Sequence, residues 1–213
     1  VLSEVAEERK MNWIYKGLFA CALLGAAAVA SADEVELIGS ADGVFNNGLS
    51  SIDGLSYTDS TFDVTTFGGF YALGADAESP NFNNLGSFTL NGDPDNYTGD
   101  TFTLTVTFDD PAGISGSNSA DFTATLFGRV VSNNHGGIQI SFESITDTFN
   151  FNNSQAYGSF DFTVNPTSIT PGHVVPVTGY GFGQMTAVPG PDSMIPFGLG
   201  LVGLVRKRSR RSR

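Results

Sequence analysis

Beyond position 100 the chain alternates in twos. Thr101-Phe102-Thr103-Leu104-Thr105-Val106-Thr107-Phe108 puts Phe102, Leu104, Val106 and Phe108 on one side and four threonines on the other. That is the two-residue period of a half-buried strand. Asp121 to Phe127 repeats it with Phe122, Ala124 and Leu126 inward. Ile138, Ile140 and Phe142 form a third stripe, Phe149 and Phe151 a fourth, and Phe160, Phe162 and Val164 a fifth. Shorter runs at Phe62–Thr66, Gly68–Leu73, Ser87–Leu90 and Val174–Thr178 are further strand candidates. Turn signals separate the runs: Gly92-Asp93-Pro94-Asp95, Asp109-Asp110-Pro111, Asn133-Asn134-His135-Gly136-Gly137, Asn152-Asn153 and Asn165-Pro166. Ala112–Ala120, rich in glycine and serine, reads as an exposed loop. Threonine suits a solvent-facing strand position, and phenylalanine brings a large apolar surface to bury.

One-sided stripes need a dry partner, so the pattern predicts an all-β fold in which two antiparallel sheets face each other. The expected architecture is a single antiparallel β-sandwich, jelly-roll or immunoglobulin-like, with about eight strands. It occupies residues 33–187, between an N-terminal signal helix and a short C-terminal hydrophobic helix. No repeat or change of composition divides this body.

The two ends have a different pattern. Residues 11–32 read as an export signal: Lys16, then the apolar run Gly17–Ala30, then the small residues Ala30-Ser31-Ala32 ahead of Asp33-Glu34. The run has 14 residues, short of the ~20 of a membrane-spanning helix. Ala30 and Ala32 are the expected cleavage-site residues, with the cut after Ala32. Residues 1–10 carry three glutamates and do not fit a secretory signal, so translation is expected to start at Met11. Cys21 and Trp13 both lie in the signal. The processed chain is thus expected to have neither a disulfide nor a cysteine nucleophile.

At the other end, residues 188–213 run from a proline-rich break through an apolar segment, Met194–Val205, into a basic cluster from Arg206 to Arg213. Twelve residues reach about 18 Å as a helix, against the ~30 Å of a hydrocarbon core. Positive charge after the segment resists translocation and holds the terminus on the cytoplasmic side. This suits a transient handle for a processing enzyme.

The order resembles the PEP-CTERM sorting signal of Gram-negative bacteria. Pro189 and Pro191 match its two prolines, Met194–Val205 its helix, and Arg206, Lys207 and Arg208 with the following arginines its basic tail. Gly190 stands where the family has glutamate. The resemblance implies cutting by signal peptidase and by an exosortase-like membrane protease. It further implies a transient inner-membrane intermediate and delivery to the outer envelope or extracellular matrix, where such proteins accompany exopolysaccharide and biofilm. More weakly, Gly137–Phe142, Gly158–Val164, Pro171-Gly172 and Val177–Gly179 look like the closing hairpins of many uncharacterised members of that family.

Charge narrows the partners. The chain has 213 residues and a formal net charge of −12. Its basic residues sit almost entirely in the two ends. Between Asp33 and Asp192 there are 19 carboxylates and one cation, Arg129, a net of −18 by difference. Nucleic acid is excluded as a partner, because its binding rests on cations that displace phosphate counterions.

Catalytic signatures are sparse. His135 and His173, the only two histidines, both fall in turn-like segments, and there is no G-x-S-x-G, no H-E-x-x-H and no Cys/His cluster. The richest constellation is Asn91-Gly92-Asp93-Pro94-Asp95-Asn96-Tyr97-Thr98-Gly99-Asp100. Oxygen donors at alternate turn positions suit Ca²⁺, with Asp93, Asp95 and Asp100 as ligands and Asp109-Asp110 adding to them across a sheet edge. The plainer alternative is an Asx/Pro turn capping a strand, with no cofactor.

The expected function is therefore non-enzymatic: an exported structural or adhesive protein of the cell envelope, associated with exopolysaccharide. One alternative is a secreted carbohydrate-binding module, which needs aromatic platforms on an outer face; Tyr57, Tyr71, Tyr97, Tyr157 and Tyr180 are the candidates. A second alternative is a secreted hydrolase.

Overall fold

The structure, a computed structural model, describes residues 34–46, 48–74 and 82–188. Ala30, Ala32, Pro189, Pro191, Arg206, Lys207 and Arg208, together with both expected terminal helices, lie outside the described residues. Within them the fold is all-β and every strand pairing is antiparallel.

In chain order the strands are β1 (Glu36–Phe45), β2 (Ser51–Ile52), β3 (Leu55–Thr58), β4 (Ser60–Thr65), β5 (Phe70–Leu73), β6 (Ser87–Leu90), β7 (Asp95–Asn96) and β8 (Thr101–Asp110). There follow β9 (Ser119–Ser132), β10 (His135–Phe142), β11 (Thr146–Asn152), β12 (Ala156–Val164), β13 (Thr167–Ile169), β14 (His173–Pro176) and β15 (Gly179–Ala187). A seven-stranded sheet runs β13-β10-β9-β8-β1-β4, with β7 added beside β9. Two four-stranded sheets run β11-β12-β15-β5 and β14-β6-β3-β2.

The five long stripes of the sequence are β8 to β12. The body holds more strands than expected, because β1, β2, β3, β7, β13 and β15 lack the Thr/Phe alternation. In β1 the inward residues are mostly small, and large rings fill the space above them. A Cβ at Gly43 would lie 2.6 Å from the Phe102 ring, and one at Gly39 would lie 2.7 Å from the Phe62 ring.

Two aromatic clusters join the seven-stranded sheet to its partners. At one end of β8, Phe102 meets Phe45, Tyr57 and Phe88 at centroid separations of 4.9, 5.0 and 4.8 Å. This closes the β14-β6-β3-β2 sheet over it. At the other end, Phe108 takes Phe62, Phe149, Phe160 and Phe162 edge-on at 5.6, 4.7, 4.8 and 5.2 Å. Edge-to-face rings set a positive rim against a negative face, adding to the ~1.5–3 kcal/mol each buried ring contributes by leaving water.

The segment expected to be a loop, Ala112–Ala120, is shorter than that. Ser119 and Ala120 already belong to β9. Part of the remainder lies along β11, with Ser115 N–H donating to Asn150 O at 2.8 Å and Asn152 N–H to Gly113 O at 3.0 Å. It thereby covers an edge that would otherwise present unpaired backbone groups.

Candidate functional site

The acidic segment is built into the seven-stranded sheet rather than looped away from it. β7 pairs with Arg129–Val130 of β9, and the backbone then forms a bulge through Tyr97–Asp100 before β8 resumes the same edge. Tyr97 N–H donates to Gly128 O at 3.0 Å and Gly99 N–H to Leu126 O at 3.1 Å, which anchors the bulge. Tyr97 is fully buried, and its hydroxyl donates to the Asp53 carbonyl in the β2–β3 turn. Burial, and then the charges of Asp95, Asp53, Asp93 and Asp100, push the phenol up to about 12.

The carboxylates around Tyr97 are mostly occupied by the fold. Asp95 Oδ1 accepts the Asn96 N–H at 2.7 Å. Asp100 Oδ1 accepts Asn46 Nδ2 at 3.0 Å, and Asn46 Oδ1 in turn accepts the Thr101 N–H at 3.0 Å. Asp93 stands on the exposed turn. Asp53, which the sequence did not single out, approaches Asp95. A hydrogen bond between the two carboxyls, then the Asp95 charge, burial and Asp100, hold Asp53 above its ordinary value of 3.8.

Asp109-Asp110 cannot join this group. They end the ten-residue strand that Asp100 precedes, about 30 Å away at the rise of a β-strand. There Asp110 Oδ1 accepts the Ala112 N–H at 3.2 Å. Among the described residues no three of His, Cys, Asp and Glu converge to hold a metal.

Both histidines open strands rather than sitting within turns, and each is engaged locally. His135 Nδ1 lies 3.2 Å from Ser132 Oγ. His173 Nδ1 lies 3.1 Å from Thr170 Oγ1 and 3.0 Å from Pro171 O.

Of the five tyrosines weighed as platforms, Tyr57 and Tyr97 are core residues, Tyr57 donating to Leu85 O at 2.6 Å, and Tyr71 packs against the core. Tyr157 and Tyr180 do lie on an outer face, that of the β11-β12-β15-β5 sheet. Two residues that sequence reasoning did not weigh as platforms join them there. Phe182 and Phe70 are cross-strand partners, 44% and 47% exposed, and the Phe70 and Tyr180 rings sit 5.5 Å apart. Beside them Asp161 is the β12 partner of Phe182, and Ser159 is the partner of Gln184. A shallow depression of about 160 Å³ lies between Ser159, Asp161, Phe182 and Gln184.

Local geometry explains this display. Over the first half of β15 the inward positions are Gly179, Gly181 and Gly183, ahead of Met185, which packs against the core. A Cβ at Gly181 would lie 2.5 Å from Leu37 Cδ1, and one at Gly183 would lie 2.8 Å from Phe160 Cβ and 3.1 Å from Val35 Cγ2. Neighbouring side chains already fill the interior there, so Tyr180 and Phe182 point out. The alternation Gly179-Tyr180-Gly181-Phe182-Gly183 was the available sequence signal.

Next to this face Gly68 and Gly69, at φ +61° and +80°, make the two-residue turn whose left-handed backbone favours glycine. That turn presents Phe67, 88% exposed. Glu34 fixes it, accepting the Gly68 N–H at 2.8 Å and the Thr66 hydroxyl at 2.9 Å.

No protein-family model, curated protein or solved structure matches this chain.

Proposed function

We propose that the chain is an exported, non-catalytic protein of the outer envelope or extracellular matrix, with a structural or adhesive role beside exopolysaccharide. On this reading residues 33–187 form a single jelly-roll or immunoglobulin-like sandwich. Residues 11–32 and 188–213 are address segments removed by signal peptidase and an exosortase-like protease. The observation that carries the adhesive role is the outer face of the β11-β12-β15-β5 sheet, where Phe70 and Phe182 are exposed, with Tyr180 half-buried beside them, on an otherwise acidic body. A contiguous apolar display of this kind is what an interaction surface needs. The near absence of cations from the body argues in the same direction, away from nucleic acid and anionic lipid. The resemblance of the tail to the PEP-CTERM signal supports the destination.

Mass spectrometry of the native protein by cell fraction tests this reading. The expected result is a chain beginning at Asp33, shortened at its C-terminus near Pro189–Asp192, and recovered from the envelope or the medium. Intact polypeptide from the soluble cell interior would contradict it.

A further inference from the structure

We infer that the outer face of the β11-β12-β15-β5 sheet is a docking surface for an uncharged polysaccharide, with Phe70, Tyr180 and Phe182 as its stacking platform. This deepens the adhesive reading above and rests on it for the presence of such a polymer outside the cell.

The platform is built rather than incidental. A strand that follows the usual rule buries its large residues; from Gly179 to Gly183, β15 carries glycine at its inward positions and aromatic rings outside. Leaving Phe70 and Phe182 nearly half exposed forgoes a corresponding share of the stability that their full burial would contribute. The neighbouring turn is similarly held open, with Phe67 displayed and Glu34 tying down the backbone behind it.

The polar groups set among the rings identify the occupant. Across the strands, Thr148, Asp161, Phe182 and Phe70 make one row and Asn150, Ser159 and Gln184 the next. Asp161 Oδ1 already accepts the Thr148 hydroxyl at 2.6 Å, which fixes its carboxylate beside the aromatic row and leaves it acceptor capacity. The face thus offers flat π-surfaces next to hydroxyl, amide and carboxylate groups that both donate and accept. A sugar ring has the complementary form. Its C–H face is weakly positive and suits the negative face of an aromatic ring, while its equatorial hydroxyls reach the flanking polar atoms. The shallow depression beside Phe182 leaves room for a substituent.

Charge sets the remaining condition. The face carries Asp161 and no cation, on a body (residues 33–187) whose 18 carboxylates less Arg129 leave a net charge of −17. An anionic polymer, an anionic membrane and a second copy of this chain would all meet like charge there. A neutral, hydroxyl-rich polymer does not.

Affinity electrophoresis of the purified native protein tests this. Gels carry a neutral polysaccharide (dextran, glucomannan, xyloglucan or galactomannan in turn) or alginate as the anionic comparison. Retardation by at least one neutral polymer is expected, with none by alginate. In the Phe70→Ser/Phe182→Ser variant the apparent affinity should fall at least ~10-fold, the scale of losing one aromatic anchor. Asp161→Asn and Gln184→Ala give independent, smaller losses without touching a ring. Phe127→Ser removes a ring that is 64% exposed on the seven-stranded sheet and should change nothing.

No retardation by any of the neutral polymers overturns the inference, as does unchanged retardation of the double variant or retardation by alginate alone. Sedimentation supplies the other contrary outcome: a native dimer made monomeric by Phe70→Ser/Phe182→Ser would assign the face to self-association. Failure to bind leaves the export reading standing, whereas an uncut cytosolic chain sinks that reading and leaves the binding result untouched.

Discussion

β8 and β15 both alternate without a break, yet they turn opposite sides to water. In β8 the large residues Phe102, Leu104, Val106 and Phe108 are buried and the threonines between them are half-covered on the outer face. In β15 Tyr180 and Phe182 face outward, and the alternating Gly181 and Gly183 are pressed against Leu37, Val35 and Phe160. A period of two therefore reports a strand but not which side is wet. The small partner in the alternation carries that information. Threonine is a good outer-face residue with a hydroxyl to satisfy, so its ring-bearing neighbours go inside. Glycine at every second position has nothing to bury, and it marks a place where something else has taken the interior volume.

Substitutions at the two strands should differ accordingly. The largest loss belongs to β8: Phe108→Ala removes a ring that four others contact edge-on and should cost about 3–5 kcal/mol in chemical denaturation. On β15 the damaging change adds an atom instead of removing a ring. Gly183→Ala places a methyl 2.8 Å from Phe160 Cβ, and overpacking of this kind should cost about 1–3 kcal/mol. Phe182→Ser, an aromatic deletion like Phe108→Ala, should change stability by no more than ~0.5 kcal/mol, as expected of a surface position. A loss comparable to that of Phe108→Ala would mean that Phe182 is a core residue.

The smallest effect lies at the acidic bulge and shows through pH. Asp53 is held above its ordinary 3.8, first by its hydrogen bond to Asp95 and then by the Asp95 charge. The folded state thus favours the protonated form. The stability from that proton is fully present below 3.8 and is lost as pH rises through the higher folded value. Asp95→Asn removes the repulsion while keeping an oxygen for the Asn96 N–H. Its melting temperature should exceed that of the native protein at neutral pH and converge with it on acidification. A gain that persisted in acid would rule out carboxylate repulsion as its source.

The same contrast explains what was legible beforehand. The stripes that became β8 to β12 were readable because each pairs large inward residues with polar outward ones. β1 and β15 were not, since glycine and alanine at their inward positions lower the apparent apolar pattern of segments that lie against a dense core. In the acidic segment the carboxylate spacing was visible, but it did not reveal that Tyr97 would be buried. Nor did it reveal that Asp53, more than forty residues earlier, would supply both the carbonyl for Tyr97 and a carboxyl beside Asp95. Tyr180 is legible as a platform from the sequence without its neighbours, because Phe70 and Phe182 meet only through the β5–β15 pairing.

The measurement that bears most directly on this account is hydroxyl-radical footprinting of the native protein, read ring by ring by mass spectrometry. Oxidation should be strong at Phe67, intermediate at Phe70 and Phe182, and minimal at Phe102 and Phe108. Protection of Phe182 to the level of Phe108, in a monomer free of ligand, would contradict the outward setting of β15 and the docking surface drawn from it.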